Sequence, residues 1–169
     1  IMKAITLWQP WASLVAIGAK KYETRSWATS YRGQIAIHAA RNYPPYAQTL
    51  AELDTQFLRS LGHEFGDDKF KKLPFGFVIA IAELVGCWEI DRIQEFSSAP
   101  WETGYWYGKM KWHDVSEQEI LFGDWAPGRY AWQLENVHQL VTPIQVKGHQ
   151  RLWDWQPPEE VQYAQSSNQ

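Results

Sequence analysis

The chain has 169 residues, a formal net charge of −3 and 11 tryptophans. Its length suits a single domain, and 45% apolar with 21% charged residues is an ordinary globular composition. The one cysteine, Cys87, excludes a disulfide framework and a cysteine-based metal site. The five histidines show no metal-ligand spacing, so no metal or other cofactor is predicted. The sequence contains neither a run of 18 apolar residues nor a signal-peptide pattern, so we expect a cytoplasmic protein that does not enter membranes.

Positive charge is concentrated at the start of the chain. The first 41 residues hold six Lys and Arg side chains against one acid, Glu23, a formal charge of +5. The same stretch contains Trp8, Trp11 and Trp27. Cations beside flat aromatic side chains can bind a phosphate and stack a base. The alternative is that these tryptophans belong to the core and the charges to a solvated rim. Because the net charge is negative, any nucleic-acid site should be a local patch or pocket.

The first part of the chain is predicted to alternate between strands and short helices. In chain order, the hydrophobic pattern predicts a strand at residues 3–7, a helix at 11–17, an extended segment at 22–27, a strand at 33–40 and a helix at 46–61. Pro10 favours the start of the first helix, and Gly18 favours its end. In the extended segment, Glu23 and Arg25 share one face, and Thr24 lies on the other.

The second part is richer in strands. It is predicted to contain a central strand at residues 75–87, a helical turn at 91–96, strands at 128–137 and 144–146, and a segment at 152–155 that covers a sheet edge; residues 97–113 receive no assignment. These elements do not follow regular βαβ alternation. The predicted fold class is therefore α+β, a small mixed β-barrel with packed helices. One domain is expected at residues 2–155, followed by a polar C-terminal tail at 156–169.

The spacing Gly18-x-Lys20-x-x-Glu23-x-Arg25 resembles the GxKxxExR signature of the ASCH domain, which belongs to the PUA-like superfamily. The flanking segments are similar to the phage and bacterial branch of that family: WQPWASLV at residues 8–15, IAIHAAR at 35–41 and FGDWAPGRYAWQLENV at 122–137. The resemblance implies a PUA-like barrel with a cleft onto which the signature residues project. It also implies binding of RNA or of a nucleotide, and some relatives recognise a modified base.

Some ASCH proteins look like hydrolases, either amidohydrolases of an N4-acylated cytidine or ribonucleases. In the amidohydrolases a Thr follows the signature Lys by three residues, where this chain has Glu23. Thr24 is one residue out of register, which turns it to the opposite face of an extended strand. Glu83 lies inside the most hydrophobic strand, where a carboxylate needs a partner or a function, and the expected partner is Lys20 or Arg25. The alternative is that Glu83 faces water.

Three functions follow from these patterns, and the preferred one is a binding module for RNA, a nucleotide or a nucleoside. Its basic and aromatic cleft is predicted to contain Trp8, Trp11, Lys20, Arg25, His38, Arg41, Arg129 and Trp132. The second function is a metal-independent hydrolase in which Lys20 acts with Glu83 or Glu23. The third is a protein-interaction domain that uses an aromatic patch.

Overall fold

Six strands form one mixed β-sheet in the computed structural model, which describes residues 1–53, 59–62, 72–90, 115–161 and 163. The strands are β1 (Met2–Leu7), β2 (Tyr22–Arg25), β3 (Gly33–Ala39), β4 (Phe77–Glu89), β5 (Tyr130–Gln145) and β6 (Leu152–Trp155). The helices are α1 (Trp11–Ala16), α2 (Pro45–Leu53) and α3 (Glu117–Leu121). The sheet order is β2-β5-β4-β3-β1-β6. β1 and β3 pair in parallel, and the other neighbours pair antiparallel.

Apolar side chains cover both faces of the sheet. On one face, Ile5, Ile37 and Leu84 pack with Val15 of α1 and with Trp132. The opposite face buries a second cluster, formed by Ala4, Ala36, Val78, Ile81, Leu140, Trp153 and Trp155. Burial on both faces explains why β3 and β4 are almost continuously apolar in sequence and do not alternate.

The α+β class and most predicted elements are confirmed. β1, β2, β3 and β4 occupy the predicted segments, with ends shifted by at most two residues. α1 ends just before Gly18, whose φ of +76° lies in the left-handed region that favours glycine. The predicted helix at residues 46–61 is seen at both ends, as α2 and as a helical turn at 59–62. The predictions for residues 91–96 and 97–113 lie outside the described residues.

In the second part of the chain two predictions need correction, and one helix was not predicted. The strands expected at residues 128–137 and 144–146 are one 16-residue strand, β5. Between Ala80↔Gln139 and Val78↔Ile144 the register of β4 and β5 shifts, and this irregular stretch accommodates Pro143, which has no N–H to donate. Residues 152–155 do not merely cover an edge, since β6 pairs with β1 and forms the edge itself. The short helix α3 was missed, although Ser116 is a favourable N-cap residue for it.

The predicted barrel is not closed. The edge strands β2 and β6 do not pair with each other among the described residues. The sheet nevertheless curls enough to bring β2 close to β1, as the Arg25 side chain of β2 donates a 2.9 Å hydrogen bond to the Thr6 carbonyl of β1. Three other strands separate β2 from β1 in the sheet order. A side chain therefore bridges the gap that a further strand pairing would have closed. No helix in the described part of the chain is long and apolar enough to cross a membrane.

Candidate functional site

Two adjoining cavities open at the gap in the curled sheet. The larger has a volume of about 1000 Å³, and the smaller of about 410 Å³. Thr6, Trp8 and Arg25 line both. The bridge between Arg25 and Thr6 therefore stands at the boundary between the two cavities.

The larger cavity, called the basic cavity below, collects cations at one end of the sheet. β1, β3 and β5 end there, β4 begins there, and the loop at residues 146–151 borders it. Its charged and aromatic lining consists of Arg25, Arg41, Lys147, Arg151, His38, His149, Trp8, Trp27 and Phe75. Among the described residues, no carboxylate lines it. Apart from Arg25, which Glu23 engages, these Lys and Arg side chains have no carboxylate partner among the described residues, and cations beside indole rings suit a ligand that is both anionic and aromatic.

The smaller cavity, called the mixed cavity, has a different character. Trp8 and Tyr46 are exposed here, with ring centroids 5.6 Å apart in an edge-to-face arrangement, and Trp11 lies beside them. Glu23 and Asp124 also line it, together with Arg25 and Arg129. Arg129 Nε lies 3.3 Å from Asp124 Oδ2, so this cation is neutralised within the cavity.

Lys20, Glu23 and Arg25 form an ion ladder that leads from the interior to the bridge. Lys20 is 1% exposed, its Nζ lies 3.7 Å from Glu23 Oε2, and it donates to the Tyr22 carbonyl. Burial lowers the pKa of Lys20, and the Glu23 charge opposes this effect. Glu23 Oε1 lies 3.2 Å from Arg25 Nε. The expected phosphate contact of Lys20 is corrected, because the buried ammonium lines neither cavity and instead supports Glu23 and, through it, Arg25.

The buried carboxylate beside this ladder is Glu119, which the sequence analysis did not identify. Glu119 on α3 is 4% exposed and accepts hydrogen bonds from the backbone N–H groups of Lys21 and Tyr22. Burial raises its pKa, and these two N–H groups together with Lys20 oppose the rise. Its role is to fix the start of β2. The available signal was an acid three residues after the N-cap Ser116, a pattern that marks a helix start and says nothing of a distant partner.

Two other predicted site residues lie away from the cavities. Glu83 is half-exposed, accepts a 2.9 Å hydrogen bond from Asn136 Nδ2 and borders a separate surface pocket with Gln34 and His138. The expected pairing of Glu83 with Lys20 or Arg25 is thus corrected: Glu83 is opposite Glu135 of β5, at the polar surface. Trp132 is 1% exposed and belongs to the core, where it supports Trp27.

His38 sits beneath the loop that carries the cations. It is 1% exposed, its Nε2 lies 3.1 Å from the Val146 carbonyl, and its ring packs edge-on against Trp153. Since a carbonyl only accepts, Nε2 donates this hydrogen bond and carries a proton. Nδ1 has no hydrogen-bond partner among the described residues. A Cβ at Gly148 would collide with this ring, so glycine is required for the loop to approach so closely.

The structure thus brings Trp8, Arg25, His38 and Arg41 to the basic cavity, and it places Trp11, Glu23 and Arg129 in the mixed cavity. Four charged or aromatic residues of the basic cavity, Phe75, Lys147, His149 and Arg151, were not predicted from the sequence, and Trp27 was noted without being placed in the cleft. The segment 147–151, KGHQR, was itself a detectable signal, since it places two cations and a histidine around a glycine.

We expect the ion ladder to be energetically coupled. Lys20→Met should lower the free energy of unfolding by about 3 kcal/mol, because it leaves the poorly exposed Glu23 with one fewer cation. In the Lys20→Met background, Glu23→Gln should lower the free energy of unfolding by less than it does in the wild type. The difference should be about 1 kcal/mol or more. Urea unfolding of the single and double variants measures this coupling. Glu83→Gln is the matched control and should change stability by no more than about 0.5 kcal/mol. Strict additivity of Lys20→Met and Glu23→Gln would contradict the ladder.

We also expect a pH dependence from His38. Burial lowers its pKa below the ordinary value, so between the two pKa values the unfolded chain binds more protons than the folded one. The free energy of unfolding should therefore fall as pH drops below about 6.5, by up to about 1.4 kcal/mol per pH unit. Urea titrations at several pH values should show this decrease in the free energy of unfolding in the wild type and in His149→Gln but not in His38→Gln. Parallel pH profiles for the wild type and His38→Gln would show that His38 titrates normally.

Comparison with known proteins identifies the family of this chain. The family model for the ASCH domain matches residues 5–144. The chain is also 26% identical over 151 residues to activating signal cointegrator 1 of Mus musculus and, to the same extent, of Homo sapiens. These matches cover 88% of this chain and 21% of each relative, so the chain spans about a fifth of the length of those proteins. Both relatives are mammalian, and affiliation with a phage or bacterial branch stays a prediction. The chain belongs to the ASCH domain family.

Proposed function

We propose that this chain binds single-stranded RNA, or a nucleotide segment of it, in the basic cavity. The observation that carries the proposal is the composition of that cavity: four Lys and Arg side chains and two tryptophans, with no carboxylate among the described lining residues. Family membership supports the same conclusion, because the ASCH resemblance implies an RNA-binding, PUA-like domain.

The phosphates are assigned to Arg41, Lys147 and Arg151. These three side chains are exposed in the described structure. Arg25 is not assigned to a phosphate, because Glu23 and the Thr6 carbonyl already engage its guanidinium. Three free cations are enough to hold a short strand and too few for a long duplex groove, which agrees with the net charge of −3.

Bases are assigned to the tryptophans at the edge of the same cavity. Trp8 is 45% exposed, and Trp27 is half-buried. Base–aromatic stacking contributes about 1–3 kcal/mol per base and tolerates different sequences. Unpaired bases can reach these rings, whereas the bases of a duplex are stacked on one another.

Hydrolysis, the alternative drawn from the sequence, receives no support from the positions of its residues. Lys20 lines neither cavity, and Glu83 borders another pocket. Glu23 reaches the mixed cavity, but its two carboxylate oxygens face Lys20 and Arg25. A general base needs hydrogen-bond reach to the proton it removes, and the contacts of Lys20 and Glu83 do not favour such a role.

The proposal predicts a specific salt dependence. For a single strand, the slope of log affinity against log salt concentration is about −0.7 per phosphate neutralised, so three contacts give about −2. Fluorescence anisotropy of a labelled hexaribonucleotide at several salt concentrations measures the slope. Lys147→Ala should reduce its magnitude by about 0.7.

Lys21→Ala is the matched control, because Lys21 is exposed and lines neither cavity. It should leave the slope unchanged. Failure of the wild type to bind the hexamer, or equal effects of Lys147→Ala and Lys21→Ala, would overturn the assignment of RNA to this cavity.

A further inference from the structure

We propose that Trp27 and Arg151 form a clamp that holds one unpaired base between the indole ring and the guanidinium plane. This inference rests on the proposed function and names the contact that would recognise the base. Both residues line the basic cavity, and neither belongs to the ion ladder.

The Trp27 side of the clamp is a firmly supported platform. The Trp27 ring packs edge-to-face on Trp132, with centroids 4.6 Å apart and an interplanar angle of 85°. Trp132 Nε1 also donates a 3.3 Å hydrogen bond to the Trp27 carbonyl. Because Trp132 is buried in the core, both the ring and the backbone of Trp27 are held in place while the ring still lines the cavity.

The Arg151 side is exposed and adjustable. The guanidinium carbon lies 5.7 Å from the centroid of the Trp27 ring. Arg151 has a φ of +59°, a left-handed conformation that is unfavourable for residues other than glycine. Unfavourable backbone geometry of this kind concentrates at ligand clamps and other functional sites. Here it coincides with a side chain placed over an aromatic ring.

Entry of a planar ligand requires Arg151 to move outward. The guanidinium carbon lies 5.7 Å from the centroid of the Trp27 ring, within the range of a cation–π contact, so the two groups already interact. A base between two stacked planes needs about twice the stacking distance of 3.4 Å, or roughly 7 Å. Because Arg151 is exposed, its side chain can swing away from the indole and close again over a base. Arginine planes and aromatic rings are both surfaces on which unpaired RNA bases stack.

Other cations of the basic cavity can hold the phosphates next to the clamped base. Arg41 and Lys147 line the same cavity and can neutralise neighbouring phosphates, while Arg151 contributes its charge to the strand as well as its plane to the base. Neither face of the clamp reads hydrogen-bonding groups of the base, so it should accept all four bases.

The test separates the planarity of Arg151 from its charge. Binding is measured for a labelled hexaribonucleotide and for an abasic ribose-phosphate hexamer of the same length. Arg151→Lys keeps the charge and removes the plane, so affinity for the hexaribonucleotide should fall about five- to hundred-fold with an unchanged salt slope. Affinity for the abasic hexamer should not change. Trp27→Leu should behave in the same way, since it removes the ring and keeps an apolar side chain.

Two controls make the result decisive. Lys21→Arg, the reverse exchange at an exposed cation that lines neither cavity, should leave the affinity for both probes unchanged. Arg151→Gly should bind weakly while unfolding at no lower urea concentration than the wild type, because glycine suits the left-handed conformation. If the wild type binds the hexaribonucleotide with the expected salt slope while Arg151→Lys and Trp27→Leu bind it equally well, the clamp is wrong and the proposed function stands. If the wild type fails to bind, both are overturned.

Discussion

The hydrogen bond from Arg25 to the Thr6 carbonyl is the interaction on which the site depends. It joins β2 to β1 across the opening of a sheet whose edge strands do not pair with each other. An arginine can make this bridge only if its charge is held in position, and Glu23 provides the counter-charge 3.2 Å away. Lys20 in turn supports Glu23 from the interior. The Lys, Glu and Arg of the ASCH signature thus act as one structural unit that ends at the two cavities.

An open sheet also explains where the cations gather. A closed barrel would have filled the gap with backbone hydrogen bonds, whereas the curled sheet leaves a cavity lined by strand ends and by the loop at residues 146–151. Gly148 lets that loop lie directly on His38, which places Lys147 and Arg151 on either side of the contact. The basic character of the cavity is therefore local, although the whole chain carries a net charge of −3.

The sequence predicted the parts of this arrangement that depend on local pattern. Periodicity located β1, β3 and β4 because their apolar runs are long, and Gly18 marked the end of α1. The spacing of the signature residues placed Glu23 and Arg25 on one face of β2, as observed. These features are set by neighbours in the chain.

The remaining features depend on contacts between distant segments. Glu119 lies about a hundred residues from Lys20 in sequence, and only the packing of α3 against β2 reveals their proximity. Burial decided the roles of Lys20 and Trp132, which composition alone cannot distinguish from exposed binding residues. The sequence separated two strands at residues 137 and 144, whereas β5 continues between them through a register shift with β4. Trp27 and Arg151 are more than a hundred residues apart and meet only because the sheet curls.

If single-stranded RNA enters the gap that the Arg25 bridge spans, it must contact the residues that line the basic cavity. An NMR titration of the ¹⁵N-labelled protein with an unlabelled hexaribonucleotide tests this. We expect the largest shifts on the backbone of residues 145–151 and on the indole N–H groups of Trp8 and Trp27. Shifts concentrated instead around Glu83, Asn136 and His138, on the separate surface pocket, would contradict it.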